Sequence, residues 1–171
     1  MRALKFFIAL AIAVLVHLLG VHLLPSFPLA VDVFLVVVFL HALEGSSLSA
    51  LFVGMVVGLL SDGLTGRPFG LFGFADTIVG YGTARLAQRL VIQRPTGVLA
   101  LVSFAAVVQQ AIAVSLAFLL LPDPELPHPL WVAVRAGICG LLGTAVHIAS
   151  LHWRRTADAR RRGRMGRLRM G

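Results

Sequence analysis

Cysteine occurs once in this chain of 171 residues, at position 139 and inside an apolar run. An internal disulfide is therefore excluded, and redox chemistry is not expected. Charge is scarce as well. Charged residues make up 13% of the chain, where a soluble domain carries roughly a quarter. That leaves too little polar surface for a separate water-soluble domain. Catalytic patterns are missing too: Ser61, Asp62 and His41 belong to no nucleophile motif, and no glycine-rich phosphate loop follows a strand. The six histidines are His17, His22, His41, His128, His147 and His152. Two pairs are five residues apart, which turns the rings about 140° from one another around a helix. No His-x3-His occurs, so no metal site is expected. No internal repeat is visible, which argues against an inverted-repeat transporter. The expectation is a protein without catalytic residues, cofactor or metal, and not an enzyme.

What the chain does have is long apolar runs. Hydrophobic residues make up 58%, and the mean hydropathy is +0.94. The runs predict six membrane helices, near Ala3–Leu24, Leu29–Leu43, Leu48–Leu64, Phe69–Ile92, Gly97–Leu121 and Leu130–Trp153. The second is short for a span unless it tilts or the bilayer thins. Between the runs lie LPSFP, EGSS, TGRP, QRPTG and PDPELPHP, rich in residues that stop helices. The first run has a basic start but is too long for a signal peptide and lacks a small-residue cleavage site, so it is expected to be a retained helix. The predicted fold is an all-α polytopic bundle over 1–153 with a basic tail over 154–171. With both termini in the cytoplasm, thirteen of the fifteen basic residues lie inside, leaving Arg67 and Arg135 toward the outside.

The most patterned stretch is 54–82, GMVVGLLSDGLTGRPFGLFGFADTIVGYG. Gly54, Gly58, Asp62, Gly66 and Gly70 recur every fourth residue. On a helix, Gly54, Gly58 and Asp62 share one stripe, where glycine admits a neighbouring backbone and the acid faces protein. Pro68 and Gly70 then break the helix and begin a second one. Asp32, Asp62, Asp76 and Arg135 are expected at one depth near the outer side, pointing inward because a charge in lipid costs about 2.5–3.5 kcal/mol. The register predicts that Asp62 pairs with Arg135, with Asp76 as competitor. Gln109 and Gln110, in the middle of span five, should supply at least one contact to another helix. Ala9 and Ala13 form a small-x3-small pair in span one. The tail carries Arg154, Arg155, Arg160, Arg161, Arg162, Arg164, Arg167 and Arg169. It is expected to be disordered in water and to contact anionic lipid; nucleic-acid binding is not expected.

The segment GLLSDGLTGRPFGLFGFADTIVGYGTARL resembles the signature region of the MreD family of rod-shape-determining membrane proteins. The resemblance lies in a D-x3-G-x3-G stretch followed by a Gly-Tyr pair, here Asp62, Gly66, Gly70, Gly80 and Tyr81. It covers most of the chain in layout and residues 45–90 in motif. The family often begins span two with Pro-Asp; here Asp32 follows Val31, and the nearest proline is Pro28. The resemblance implies a non-enzymatic scaffold of the bacterial cell-elongation machinery in the cytoplasmic membrane. Its partners would be MreC, the actin-like MreB, and the RodA glycan polymerase with its transpeptidase. Docking would run along the glycine seam or span one. The family is also similar in fold to the substrate-binding subunits of energy-coupling-factor transporters. The alternative function is therefore vitamin capture in an outer pocket, to which Trp131 and Phe27 could contribute; with one tyrosine and two tryptophans the chain has few aromatics to line it.

Overall fold

The computed structural model describes residues 2–66, 68–89, 95–122, 124 and 127–168. Arg67 and Arg169, both named above, lie outside the described residues. Seven helical elements follow one another: α1 (Arg2–Leu23), α2 (Phe27–Ala30), α3 (Val33–Glu44), α4 (Ser47–Thr65), α5 (Leu71–Arg89), α6 (Pro95–Leu120) and α7 (Pro129–Leu168). The architecture is an all-α polytopic bundle, and the described residues contain no strand. Among the described residues, five stretches are long and apolar enough to cross a membrane: Phe6–Leu23, Phe27–Glu44, Ser47–Thr65, Pro95–Leu120 and Pro129–Trp153. This is a multi-pass membrane protein.

The fourth expected span, now α5, is not among those five. Asp76, Thr77, Tyr81, Thr83, Arg85, Gln88 and Arg89 make it more polar than α1, α3, α4 or α6. It tolerates them because α3, α4 and α6 surround it, burying Asp76 and Thr83. The second expected span is not one helix. It breaks at Val31 and Asp32, and Asp32 caps α3 by accepting from the Leu35 amide at 3.0 Å. An acid just before an apolar run is a helix-start signal. A further correction concerns the tail: α7 continues to Leu168 without a break, in place of the expected disordered segment. Arginine and alanine are good helix formers, and no proline interrupts this stretch.

The caps follow from local chemistry. Ser46 starts α4 by accepting from the Ser49 amide at 3.2 Å. Pro95 and Pro129 each open a helix, where the missing N–H is no loss. α3 occupies the centre and touches α1, α4, α5, α6 and α7. Seven of its twelve residues are buried: Phe34, Leu35, Val36, Val37, Val38, Phe39 and Ala42. Leu35 and Phe39 join Val79 of α5, Val98, Val102, Ala105 and Ala106 of α6, and Ala136 and Cys139 of α7 in the main core cluster. In lipid such packing acts through close contact and polar pairs rather than through expulsion of water.

The α4–α5 hairpin packs backbone to backbone. A Cβ on Gly54 or Gly58 would collide with the carbonyls of Asp76 and Phe72, and one on Gly80 would lie 2.6 Å from the Ala50 carbonyl. The glycine seam is thus closed within the chain. That corrects the expectation that a partner helix docks there: α5 already fills the groove. Gly66 ends α4 in the left-handed conformation at φ 65°, and Gly70 has φ 102°. Both positions strain any residue with a Cβ. Ala13 is buried and Ala9 half-buried, so the alanine pair of α1 also faces its own bundle.

Candidate functional site

Four helices bring polar side chains to one buried point. Asp32 arrives through the α2–α3 break, where its side chain caps α3 while one oxygen remains for other partners. Asp76 sits inside α5, Gln109 at the middle of α6 and Arg135 on α7. All four are at most 5% exposed. Arg135 Nη2 forms an ion pair with Asp32 Oδ2. Gln109 Nε2 donates to Asp32 Oδ2 at 3.1 Å and to Asp76 Oδ1 at 2.6 Å. Its oxygen, Oε1, accepts from Arg135 Nη2 at 3.5 Å. The guanidinium lies 5.3 Å from the centre of the Phe72 ring, so α5 supplies an aromatic face as well. Cys139, one turn after Arg135, receives the Asp32 backbone N–H on Sγ at 3.3 Å. Two buried polar atoms of the cluster have no hydrogen-bond partner, Asp76 Oδ2 and Arg135 Nε.

Asp62 stands apart from this group. Its carboxylate accepts from the backbone amides of Gly70 at 2.9 Å, Phe72 at 3.1 Å and Gly73 at 3.1 Å. These are donors that a helix start leaves without intrahelical partners, and the positive end of the α5 dipole adds to the attraction. The predicted Asp62–Arg135 pair is therefore absent. The stripe of α4 faces α5, whereas Arg135 is on α7, which packs on α2, α3 and α6. Asp62 finds amides, and Arg135 finds Asp32.

Of the four charges expected together, Asp32, Asp76 and Arg135 meet, and Asp62 serves the hairpin turn. Gln109 holds a larger part than a generic packing amide, because it links both carboxylates and contacts the guanidinium. The signal was an amide at the centre of an apolar span, which must find partners. Gln110 beside it is only half-buried. Tyr81 lies outside the glycine seam: its hydroxyl accepts from Arg85 Nε at 3.0 Å near the exposed end of α5. The histidines do not assemble either. His41 pairs with Ser49 Oγ at 2.8 Å and His17 packs on Phe34. Among the described residues no group of three or more His, Cys, Asp or Glu could hold a metal ion.

A narrow cleft reaches the cluster from the side of α1. It is lined by His17, Pro28, Asp32, Ser61, Thr65 and Arg135, among others, and has room for about one water molecule. Phe27 does not line it and packs on the His17 ring with centroids 6.4 Å apart. Trp131 is 37% exposed and does not line the cleft. No family model matches the chain, and no curated protein or solved structure matches it either.

Proposed function

We infer that this chain is a membrane scaffold of the bacterial cell-elongation machinery. It sits in the cytoplasmic membrane with both termini inside and brings MreC together with the peptidoglycan synthases, which maintains rod shape. The observation that carries this reading is the α4–α5 hairpin. The residues through which the chain resembles the MreD family have separate and interlocking duties there. Asp62 holds the first amides of α5, Gly66 closes α4, Gly70 turns the chain, and Gly80 lets α5 lie on the α4 backbone. A motif whose parts build one structural unit supports the resemblance better than composition does.

The cluster's own chemistry supports a scaffold over vitamin capture. Its interior is filled by the chain's side chains, and the adjoining cleft admits about one water. A ligand of vitamin size needs a pocket of roughly 300 Å³ or more. Nothing in the proposed role calls for catalysis.

With the glycine seam closed, docking falls to an outward face. Of the five spans among the described residues, α1 is the least covered, with 11% of Phe6–Leu23 buried. Ile12, Leu15 and Leu19 are each more than half exposed along one side of it. The proposed occupant is the single membrane-crossing helix of MreC, with MreB, RodA and its transpeptidase recruited to the same assembly. The arginine tail would rest on anionic lipid at the cytoplasmic surface. Cysteine cross-linking tests this, with positions 12, 15 and 19 scanned against the MreC helix on a Cys139→Ser background. Cross-links recurring at helical spacing are expected. Cross-links confined to another helix would move the docking face, and failure of MreC to co-purify would overturn the assignment.

A further inference from the structure

We propose that the buried cluster is a proton-binding site, with the proton carried by Asp76 Oδ2 at neutral pH. The argument begins with charge. The cluster holds two carboxyl groups and one guanidinium, and Arg135 is committed to Asp32. Among the described residues, Asp76 has only the neutral amide of Gln109 as a hydrogen-bond partner, on Oδ1. Its other oxygen is buried and without any hydrogen bond. The same amide nitrogen touches both carboxyl groups, so an ionised Asp76 would face ionised Asp32 across one Nε2. Like charges at that separation in a dry interior do not both persist.

The neighbours offer no other remedy. The groups facing Asp76 are Asp32 at the head of α3, Asp62 on α4 and Arg135 on α7. Asp62 is engaged by the amides of α5 and is itself an acid. Cys139 of α7 touches Asp32 instead. The described residues of α6 contain no titratable side chain and offer Gln109 alone. A metal ion fits poorly, because the Gln109 amide donates into the space between the two carboxyl groups. A proton needs no such space. The cleft with room for about one water reaches Asp32 and Arg135, with His17 and Ser61 on its wall; Asp76 does not line it and is joined to Asp32 through Gln109.

Infrared spectroscopy of the full chain in lipid vesicles tests this. A carbonyl band of a protonated carboxyl group is expected at neutral pH, shifted in heavy water. It should vanish in Asp76→Asn and persist in Asp62→Asn. It should also vanish in Asp32→Asn, because Arg135 then turns to Asp76 and ionises it. A second readout is thermal stability against pH. A native state that holds a proton the unfolded chain has released loses stability as pH rises, so the wild-type midpoint should fall with alkalinity while that of Asp76→Asn stays level. No band in the wild type, or a band unaffected by Asp76→Asn, would overturn the proposal. So would a wild-type midpoint raised by sodium at fixed pH and ionic strength, which would indicate a bound cation. Failure of Asp76→Asn to fold would overturn it too, since the amide imitates the neutral acid.

Discussion

Replacing Arg135 by alanine strands the Asp32 carboxylate in the middle of the bundle. Asp32 keeps its bonds to Leu35 N and Gln109 Nε2 but loses the only cation paired with it among the described residues. Abandoning one member of a buried pair costs about 3–5 kcal/mol. Loss of the guanidinium from the buried Phe72 face adds about 2 kcal/mol. Asp32→Ala should cost a similar 3–5 kcal/mol for the stranded arginine, plus about 1 kcal/mol for the lost cap of α3. Asp32→Asn should be milder, because the amide oxygen still caps α3 while Arg135, released from position 32, turns to the Asp76 carboxyl group. The double variant Asp32→Ala/Arg135→Ala leaves no stranded charge at this pair. Its loss should therefore fall short of the two single losses added, by about 1–3 kcal/mol. Equilibrium unfolding in mixed micelles measures all four variants. Strict additivity of Asp32→Ala and Arg135→Ala would refute the pairing. The same cycle with Asp62→Ala and Arg135→Ala should be additive to within about 0.5 kcal/mol, because those residues share no bond.

Three further outcomes are expected. Asp62→Ala should remove about 1–3 kcal/mol by leaving buried α5 amides unsatisfied, and hydrogen exchange should quicken at Phe72 and Gly73 before the rest of α5; unchanged exchange there would argue against the cap. Gly54→Ala should destabilise the protein or prevent its accumulation in the membrane, whereas Gly63→Ala, where an added Cβ meets nothing within 4 Å, should gain up to about 1 kcal/mol from helix propensity; equal effects of the two in a thermal melt would deny the close α4–α5 approach. Deleting 158–171 removes six arginines and should weaken binding to anionic vesicles while the melting of the bundle is unchanged; binding that keeps its full salt dependence would mean that the lipid contact lies elsewhere.

The sequence was most legible where a single helix or a short turn decides the structure. Long apolar runs separated by proline and glycine gave the helices, and the four-residue glycine spacing gave a close hairpin face. Asp62 illustrates where this stops. Its stripe identifies the face it shares with Gly54 and Gly58, but its partners are backbone amides that appear in no inventory of side chains. Arg135 was then assigned the wrong acid, since depth along a span does not reveal which helices are adjacent. Asp32 carried a readable cap signal, obscured by the continuous apolar composition on both sides. Gln109 was recognisable as a residue needing partners, yet only the packing of α3, α5, α6 and α7 shows that it bridges two carboxyl groups. The helical tail reflects the propensity of arginine and alanine prevailing over a composition that suggested disorder.

On the proposed function, this bundle binds membrane proteins and no small molecule. Native mass spectrometry of the chain, extracted from its own membrane in mild detergent, tests it most directly. The expected result is a complex with stoichiometric MreC and no retained small ligand. A stoichiometric vitamin on a chain that carries no protein partner would contradict it.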